Sequence, residues 1–169
     1  QTHCIIGSRA CGIDDPRRLP LALLVNILGG PSANSLLNVV VREKHGLSYN
    51  IEASYTPYTD CGIVATYFSC DHGNTEQCIE LIEAQMRRLR TETLTPRRLS
   101  MAKKQFIAQL AISLESNEGY MLGTGKSFLL HEEVDTMEQV YAKIEALTAA
   151  QLAEVAEEVL GVDSKLIYR

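Results

Sequence analysis

The alternation of apolar and polar residues predicts four strands. Residues 2–9 form a short apolar run typical of a mostly buried strand. Residues 47–56 alternate apolar and polar side chains, the period of two expected for a half-buried strand. After a turn over residues 57–61, residues 62–69 return as the hairpin partner of that strand. A last strand is predicted over residues 165–168.

Helical periodicity fills most of the remaining chain. Asp15 followed by Pro16 predicts a helix start, because Asp caps a helix N-terminus and Pro suits the first helical position. This helix is expected to end near Leu28. Ser32 is the predicted cap of a second helix, and Gly46 its stop, since glycine adopts the left-handed conformation without strain. Four or five further helices are predicted after the hairpin.

The order of these elements predicts the fold class. One strand, two helices, a hairpin, a group of helices and a final strand do not alternate as βαβ units do. We therefore expect an α+β fold with a mostly antiparallel sheet packed against helices on one face. The 169 residues suit a single domain covering residues 1–169, without an internal repeat or a linker.

Composition and charge exclude several classes of protein. The chain is 46% hydrophobic and 22% charged, which rules out disordered and collagen-like proteins. Its net charge is −5, and the basic clusters at Arg87–Arg90 and Arg97–Arg98 alternate with apolar residues, so no nucleic-acid partner is expected. The apolar stretch Leu21–Val25 is far shorter than the roughly 18 residues of a membrane-spanning helix, so no membrane segment is predicted.

The cysteines indicate neither a disulfide framework nor a zinc site. Their number, five, is odd, and no two are spaced as C-x-x-C. Cys4, Cys70 and Cys78 lie in apolar runs and are interpreted as small core residues. This pattern favours a reducing compartment such as the cytoplasm, although the compartment itself is unknown because a targeting segment would lie outside this sequence.

Two local patterns approach known chemistry without completing it. His131-Glu132 begins H-E-x-x-H, but Asp135 stands where the second histidine belongs, so we predict no metal site in this chain. The segment Gly123–Ser127 matches the end of a phosphate-binding loop, but Tyr120 replaces its first glycine. Close helix packing at Gly123 and Gly125 is the alternative interpretation, and nucleotide binding there is kept as a remote third hypothesis.

A more specific pattern lies between the first helix and the hairpin. It comprises, in order, Leu28-Gly29-Gly30, Ser35, Arg42-Glu43-Lys44, Gly46-Leu47-Ser48-Tyr49 and Asp60-Cys61-Gly62. With these motifs the chain resembles the C-terminal, non-zinc domain of the M16 metallopeptidases, the pitrilysin, insulin-degrading and mitochondrial processing peptidase family. The resemblance continues through Leu94-Thr95-Pro96 and the later helices to Ile144, so it covers nearly the whole chain.

The resemblance implies a role in peptide hydrolysis. In that family a zinc domain with H-x-x-E-H faces a second domain of the same fold, which presents an Arg and a Tyr seven residues apart to the substrate. Arg42 and Tyr49 have that spacing. The resemblance implies that Tyr49 is catalytic, donating a hydrogen bond to the scissile carbonyl, and that Arg42 and Tyr49 bind substrate.

The implied partners follow from the same resemblance. They are a peptide or unfolded-protein substrate and a zinc-bearing M16 domain, in the same chain or in another subunit. Zn²⁺ would lie in that partner domain, and this chain, with no cofactor of its own, would be inactive alone. The sequence has Leu36 where the family carries a basic residue, and the family's domain usually begins with a strand and helix before Gln1, so the chain is expected to be a partial domain.

The residues alone also allow a structural interpretation of both Tyr49 and Arg42. Periodicity alone places Tyr49 on the buried face of its strand with Ile51 and Ala53, as a core residue. Arg42 could then complement the negative end of its helix. In that case the chain would be a non-catalytic scaffold or assembly domain of the same fold.

Overall fold

A four-stranded antiparallel sheet organises the chain. The computed structural model describes residues 1–161 and 164–169. The strands are β1 (Thr2–Ala10), β2 (Ser48–Pro57), β3 (Gly62–Cys70) and β4 (Ser164–Tyr168), in the spatial order β2-β3-β1-β4. Each lies within one residue of its predicted bounds. The predicted α+β class is confirmed.

The helices belong to two compact units, which are described separately. The first unit, Gln1–Leu94 with Ala149–Arg169, holds the sheet, and the second is Thr95–Thr148. Helices of the first unit are α1 (Arg18–Gly29), a π-helical segment (Asn38–Lys44), a short 3₁₀ turn (His72–Asn74) and α2 (Thr75–Thr91). The second unit holds α3 (Pro96–Ser113), α4 (Asn117–His131) and α5 (Met137–Glu145), and α6 (Ala149–Val159) returns to the first. The single-domain organisation stays a prediction.

The core of the first unit lies on one face of the sheet. Alternate residues of β1 are buried there with Phe68 of β3, beneath α1, α2 and α6. Cys4, Cys70 and Cys78 belong to this core, as predicted. Burial raises the pKa of Cys78 to about 12, so this thiol stays protonated at neutral pH. The opposite face of the sheet is open, with Leu166 67% exposed.

The first helix begins later than predicted. Helix α1 starts at Arg18 rather than at Pro16, because Asp15 folds back on Arg17. The Asp15 carboxylate accepts from the backbone N–H of Arg17 at 2.8 Å and from its guanidinium at 2.6 and 2.9 Å. Arg17 also donates to Glu158 of α6, so this ion pair links the start of α1 to α6.

The second helix also differs from its prediction. A turn closed by the Ser35 N–H on the Ser32 carbonyl (3.0 Å) precedes it, so the helix begins at Leu36 rather than directly after Ser32 as predicted, and it is π-helical from Asn38. Each π turn carries one more residue than an α turn, and such segments recur at functional sites. Gly46 ends the segment with φ of +62°, as predicted.

The second unit contains the glycines of the phosphate-loop motif. Residues 123–127 lie inside α4, so their amides belong to a helix interior rather than to a loop after a strand. A Cβ at Gly123 or Gly125 would meet no atom within 4 Å among the described residues, so the close-packing interpretation is wrong. Thr95 caps α3, because its side-chain oxygen accepts a hydrogen bond from the Arg98 N–H. Among the described residues no helix is both long and apolar enough to span a membrane.

Helix α1 packs directly against β2 at Gly29. A Cβ at this position would lie 2.7 Å from both the Cβ and the N of Ala53, and 3.0 Å from Cδ1 of Leu37. Real Cβ atoms do not come so close to backbone, so only glycine fits without a shift of the helix or the strand.

We predict that Gly29→Ala destabilises the protein, because the added methyl must push α1 away from β2. The expected loss in the free energy of unfolding is about 1–3 kcal/mol, measured by urea unfolding. Gly73→Ala is the matched control, since a Cβ there has open space, and it should change stability by less than about 0.5 kcal/mol. Equal stabilities of the two variants would contradict the packing described here.

The hydrogen bonds of Asp15 make the free energy of unfolding depend on pH in the acidic range. Hydrogen bonds from Arg17 lower the pKa of Asp15 from its ordinary value of 3.8 to about 2. Because the folded pKa is the lower one, the stabilisation is complete above about pH 4 and is lost as pH falls toward 2. Asp15→Asn should therefore be less stable than wild type at pH 6, and the difference should shrink between pH 4 and pH 2 in unfolding curves. A difference that is constant with pH would contradict this ion pair.

Candidate functional site

A cleft of about 230 Å³ opens between the end of α1, the π-helical segment and the start of β2. The side chains and backbone that define it include Gly29, Gly30, Asn38, Arg42, Tyr49 and Glu52. The two residues singled out from the sequence, Arg42 and Tyr49, therefore line one cleft. Ligand pockets for drug-sized molecules are commonly ~300–1,000 Å³, so this volume suits one large side chain of a ligand.

A β-bulge places Tyr49 in the cleft. Ser48 pairs with Cys70, but the next pair of the ladder is Asn50 with Ser69, so Tyr49 is the extra, unpaired residue. A bulge shifts the alternation of side chains by one position. Ser48 and Ile51 are consequently both buried, and Tyr49 is 89% exposed. The interpretation of Tyr49 as a core residue is wrong.

The hydroxyl of Ser48 holds this bulge from the buried side. Its Oγ lies 2.7 Å from the Ser69 carbonyl oxygen and 2.9 Å from that of Asn50. It thus contacts both strands beside the irregular pair, β2 at Asn50 and β3 at Ser69, while Ser48 itself is only 3% exposed. Ser48 is a positioning residue for Tyr49, since it acts through the backbone of the bulge.

Arg42 lies in the last turn of the π-helical segment, with its side chain exposed. At this position its positive charge can stabilise the negative C-terminal end of the helix, which is the structural role considered for Arg42 above. Its guanidinium, however, makes no hydrogen bond or ion pair within the described residues. Its hydrogen-bond donors are therefore available to a carbonyl or carboxylate of a ligand.

Three polar residues of the cleft were not identified from the sequence. Asn38 is 8% exposed, and its Nδ2 donates to Ser35 Oγ at 2.9 Å and to the Ser32 carbonyl at 3.3 Å. Asn38 precedes Arg42 by four residues in an otherwise apolar run, which is the one signal that could have identified it. Asn50 and Glu52 follow Tyr49 on the open face of β2, where polar residues are ordinary and carry no signal.

The sequence predicts no metal site in this chain. Across residues 1–161 and 164–169, no group of three or more His, Cys, Asp or Glu side chains is arranged to hold a metal ion. His131, which begins the incomplete H-E-x-x-H pattern, is the last residue of α4, followed by Glu132 in the left-handed conformation. The cleft itself offers an amide, a guanidinium, a phenol and a carboxylate, which are groups that bind a polar ligand.

Comparison with known proteins agrees with the motif between residues 28 and 62. The family model described as the peptidase M16 inactive domain matches residues 1–106. A zinc protease of Bacillus subtilis, YmxG, is 28% identical over 166 residues, which are 98% of this chain and 40% of that protein. The alpha subunit of the Neurospora crassa mitochondrial-processing peptidase is 26% identical over 174 residues, covering 95% of this chain and 30% of the subunit.

A solved structure shows the same fold. A chain of complex III₂ from Candida albicans superposes with a TM-score of 0.84 at 15% identity, over 98% of this chain and 42% of that one. At this identity the likeness concerns the fold alone. The chain spans about 40% or less of the length of the curated relatives named above.

Ser48→Ala should weaken the bulge, because two carbonyl oxygens lose their contact with a buried hydroxyl. The expected loss in the free energy of unfolding is about 1 kcal/mol in urea titrations. Ser54→Ala, on the exposed side of the same strand, is the control, since its hydroxyl makes a contact of 3.5 Å at the surface. If the two variants were equally stable, Ser48 would not hold the bulge.

Proposed function

The chain belongs to the peptidase M16 inactive-domain family, and from this we propose that it forms the non-zinc, substrate-binding half of an M16-like zinc peptidase. The single observation that carries the proposal is the exposure of Tyr49 by the bulge, beside Arg42 in one cleft. A tyrosine that served only packing would gain nothing from this position. The sequence relatives named above include a zinc protease and a processing-peptidase subunit.

Tyr49 is the catalytic residue of this proposal. When water adds to the scissile carbonyl carbon, the carbonyl oxygen gains negative charge, and the Tyr49 hydroxyl donates a hydrogen bond to it. Such a donor accelerates the reaction because it is strongest where charge develops in the transition state. The attacking water gives up a proton as its oxygen bonds to carbon, and the amine takes up one proton as the C–N bond breaks, so the protons balance.

Arg42 holds the substrate beside that bond. Its free guanidinium donates in a fixed planar fork, which matches a carboxylate or two backbone carbonyl oxygens. Held in this way, the peptide keeps its carbonyl near Tyr49, and the ordering of the two reactants is part of the rate gain.

The metal belongs to a partner in this proposal. A Zn²⁺ ion in an H-x-x-E-H domain would lower the pKa of water and polarise the scissile carbonyl. That domain lies in the same chain or in another subunit, and the present chain alone cleaves nothing. A reducing compartment is proposed with it, because all five cysteines are unpaired.

The second candidate function is a non-catalytic scaffold. It is favoured by one observation, the same fold in a chain of complex III₂. In that function the cleft would be a remnant, and Tyr49 and Arg42 could be replaced without effect on the assembly.

The test is kcat/KM for an unstructured peptide, measured on the full-length protein with its zinc domain. Tyr49→Phe keeps the ring and removes one hydrogen-bond donor, so kcat/KM should fall about 10²-fold with zinc content and folding unchanged. Tyr58→Phe is the matched control, because Tyr58 is also exposed, to 50%, but lies outside the cleft. Unchanged kinetics in Tyr49→Phe would show that Tyr49 takes no part in the reaction, and no hydrolysis by wild type would favour the scaffold.

A further inference from the structure

Helix α4 exposes apolar side chains along most of its length. None of its fifteen residues is buried. Six of them are nevertheless large, apolar and exposed: Tyr120, Met121, Leu122, Phe128, Leu129 and Leu130. A helix with apolar residues on all sides is normally buried, and a patch of large exposed apolar side chains marks an interaction surface. We therefore expect another surface to cover part of α4.

The most open side of α4 lies opposite its contacts within the second unit. Thr124 and Ser127 are the half-buried residues of the helix. At about 100° per residue, Leu122 and Leu129 point to the opposite side, where they are 61% and 83% exposed. Gly125 lies between them, and a Cβ there would meet no atom within 4 Å among the described residues. A second backbone can therefore approach closely at this point.

Two opposite charges flank Leu122 symmetrically on the same side of the helix. Glu118 precedes Leu122 by four residues and Lys126 follows it by four. Both are exposed, and within the described residues neither makes an ion pair or a side-chain hydrogen bond. They are two helical turns, or about 12 Å, apart along the axis, so they do not pair with each other. A surface that matches this side of α4 must offer a cation near Glu118 and an anion near Lys126.

An antiparallel second copy of α4 has this charge pattern. A two-fold axis beside Leu122 places Glu118 of each copy against Lys126 of the other, so that two ion pairs form at once. A contact of this kind is self-complementary, as the symmetry of a homodimer requires. Leu122 then meets its own counterpart at the axis.

We propose that the outer face of α4, formed by residues 118, 122, 125, 126 and 129, is the contact surface of a homodimer in which two α4 helices pack antiparallel about Leu122. Burial of Leu122 and Leu129 supplies most of the affinity, and the two ion pairs fix the register of the helices. The inference uses no residue of the cleft, so it stands apart from the proposed hydrolysis.

Charge reversal on the full-length protein tests the register. Wild type should form a reversible dimer whose fraction rises with concentration in sedimentation velocity. Glu118→Lys places lysine against lysine twice and Lys126→Glu places glutamate against glutamate twice, so each should raise the Kd of the dimer at least roughly tenfold. An equimolar mixture of the two variants should associate as wild type does, because every lysine then faces a glutamate.

Two further variants separate this contact from net charge and from misfolding. Glu80→Lys makes the same change of charge on an exposed residue of α2 and should dimerise as wild type does. Leu122→Asp should abolish the dimer without lowering the Tm at concentrations where wild type is monomeric, because Leu122 is mostly exposed within one copy.

Three outcomes would overturn the proposal. The first is a wild type that stays monomeric at every concentration; a lower Tm of Leu122→Asp would then show that α4 is covered within the full-length chain. The second is a mixture of the reversed variants that stays monomeric. The third is a dimer that persists in Leu122→Asp, since another surface would then hold the two copies together.

Discussion

The contact of Gly29 with Ala53 fixes the position of α1 on the sheet. Because no side chain separates the end of the helix from β2, the backbone of residues 29 and 30 forms one wall of the cleft. A larger residue would widen the space between helix and strand and move that wall away from Tyr49. Stability and site geometry therefore depend on the same absent side chain, and a methyl group added at Gly29 would damage both.

Much of the fold follows from local patterns. The strands obey period-two alternation and the turn at Gly46 needs a left-handed residue, so sequence reasoning places them within one residue. Sequence reasoning misplaces the start of α1, because the hydrogen bonds of Asp15 to Arg17 leave no periodic signal. It also misses the π-helical segment, because the wider spacing of a π-helix is not visible in so short a stretch of sequence. Tertiary contacts decide such details.

Sequence reasoning identified only some residues of the candidate site. The resemblance identified Arg42 and Tyr49. Alternation alone predicts a buried Tyr49, because a bulge adds a residue without changing the composition of the strand. Sequence reasoning does not identify Glu52, since an exposed acidic residue on a strand is common and gains meaning only from its neighbours in space. Asn38 is the intermediate case, a buried polar residue in an apolar run.

Because the site depends on the bulge and the fold does not, the site could be lost in evolution while the fold is kept. From Ile51 onward the ladder is held by buried side chains, so a lineage that lost one residue between Gly46 and Asn50 would keep the sheet intact. The same deletion would turn the tyrosine toward the core and remove it from the cleft. Segment length, as well as residue identity, therefore decides whether Tyr49 reaches the cleft.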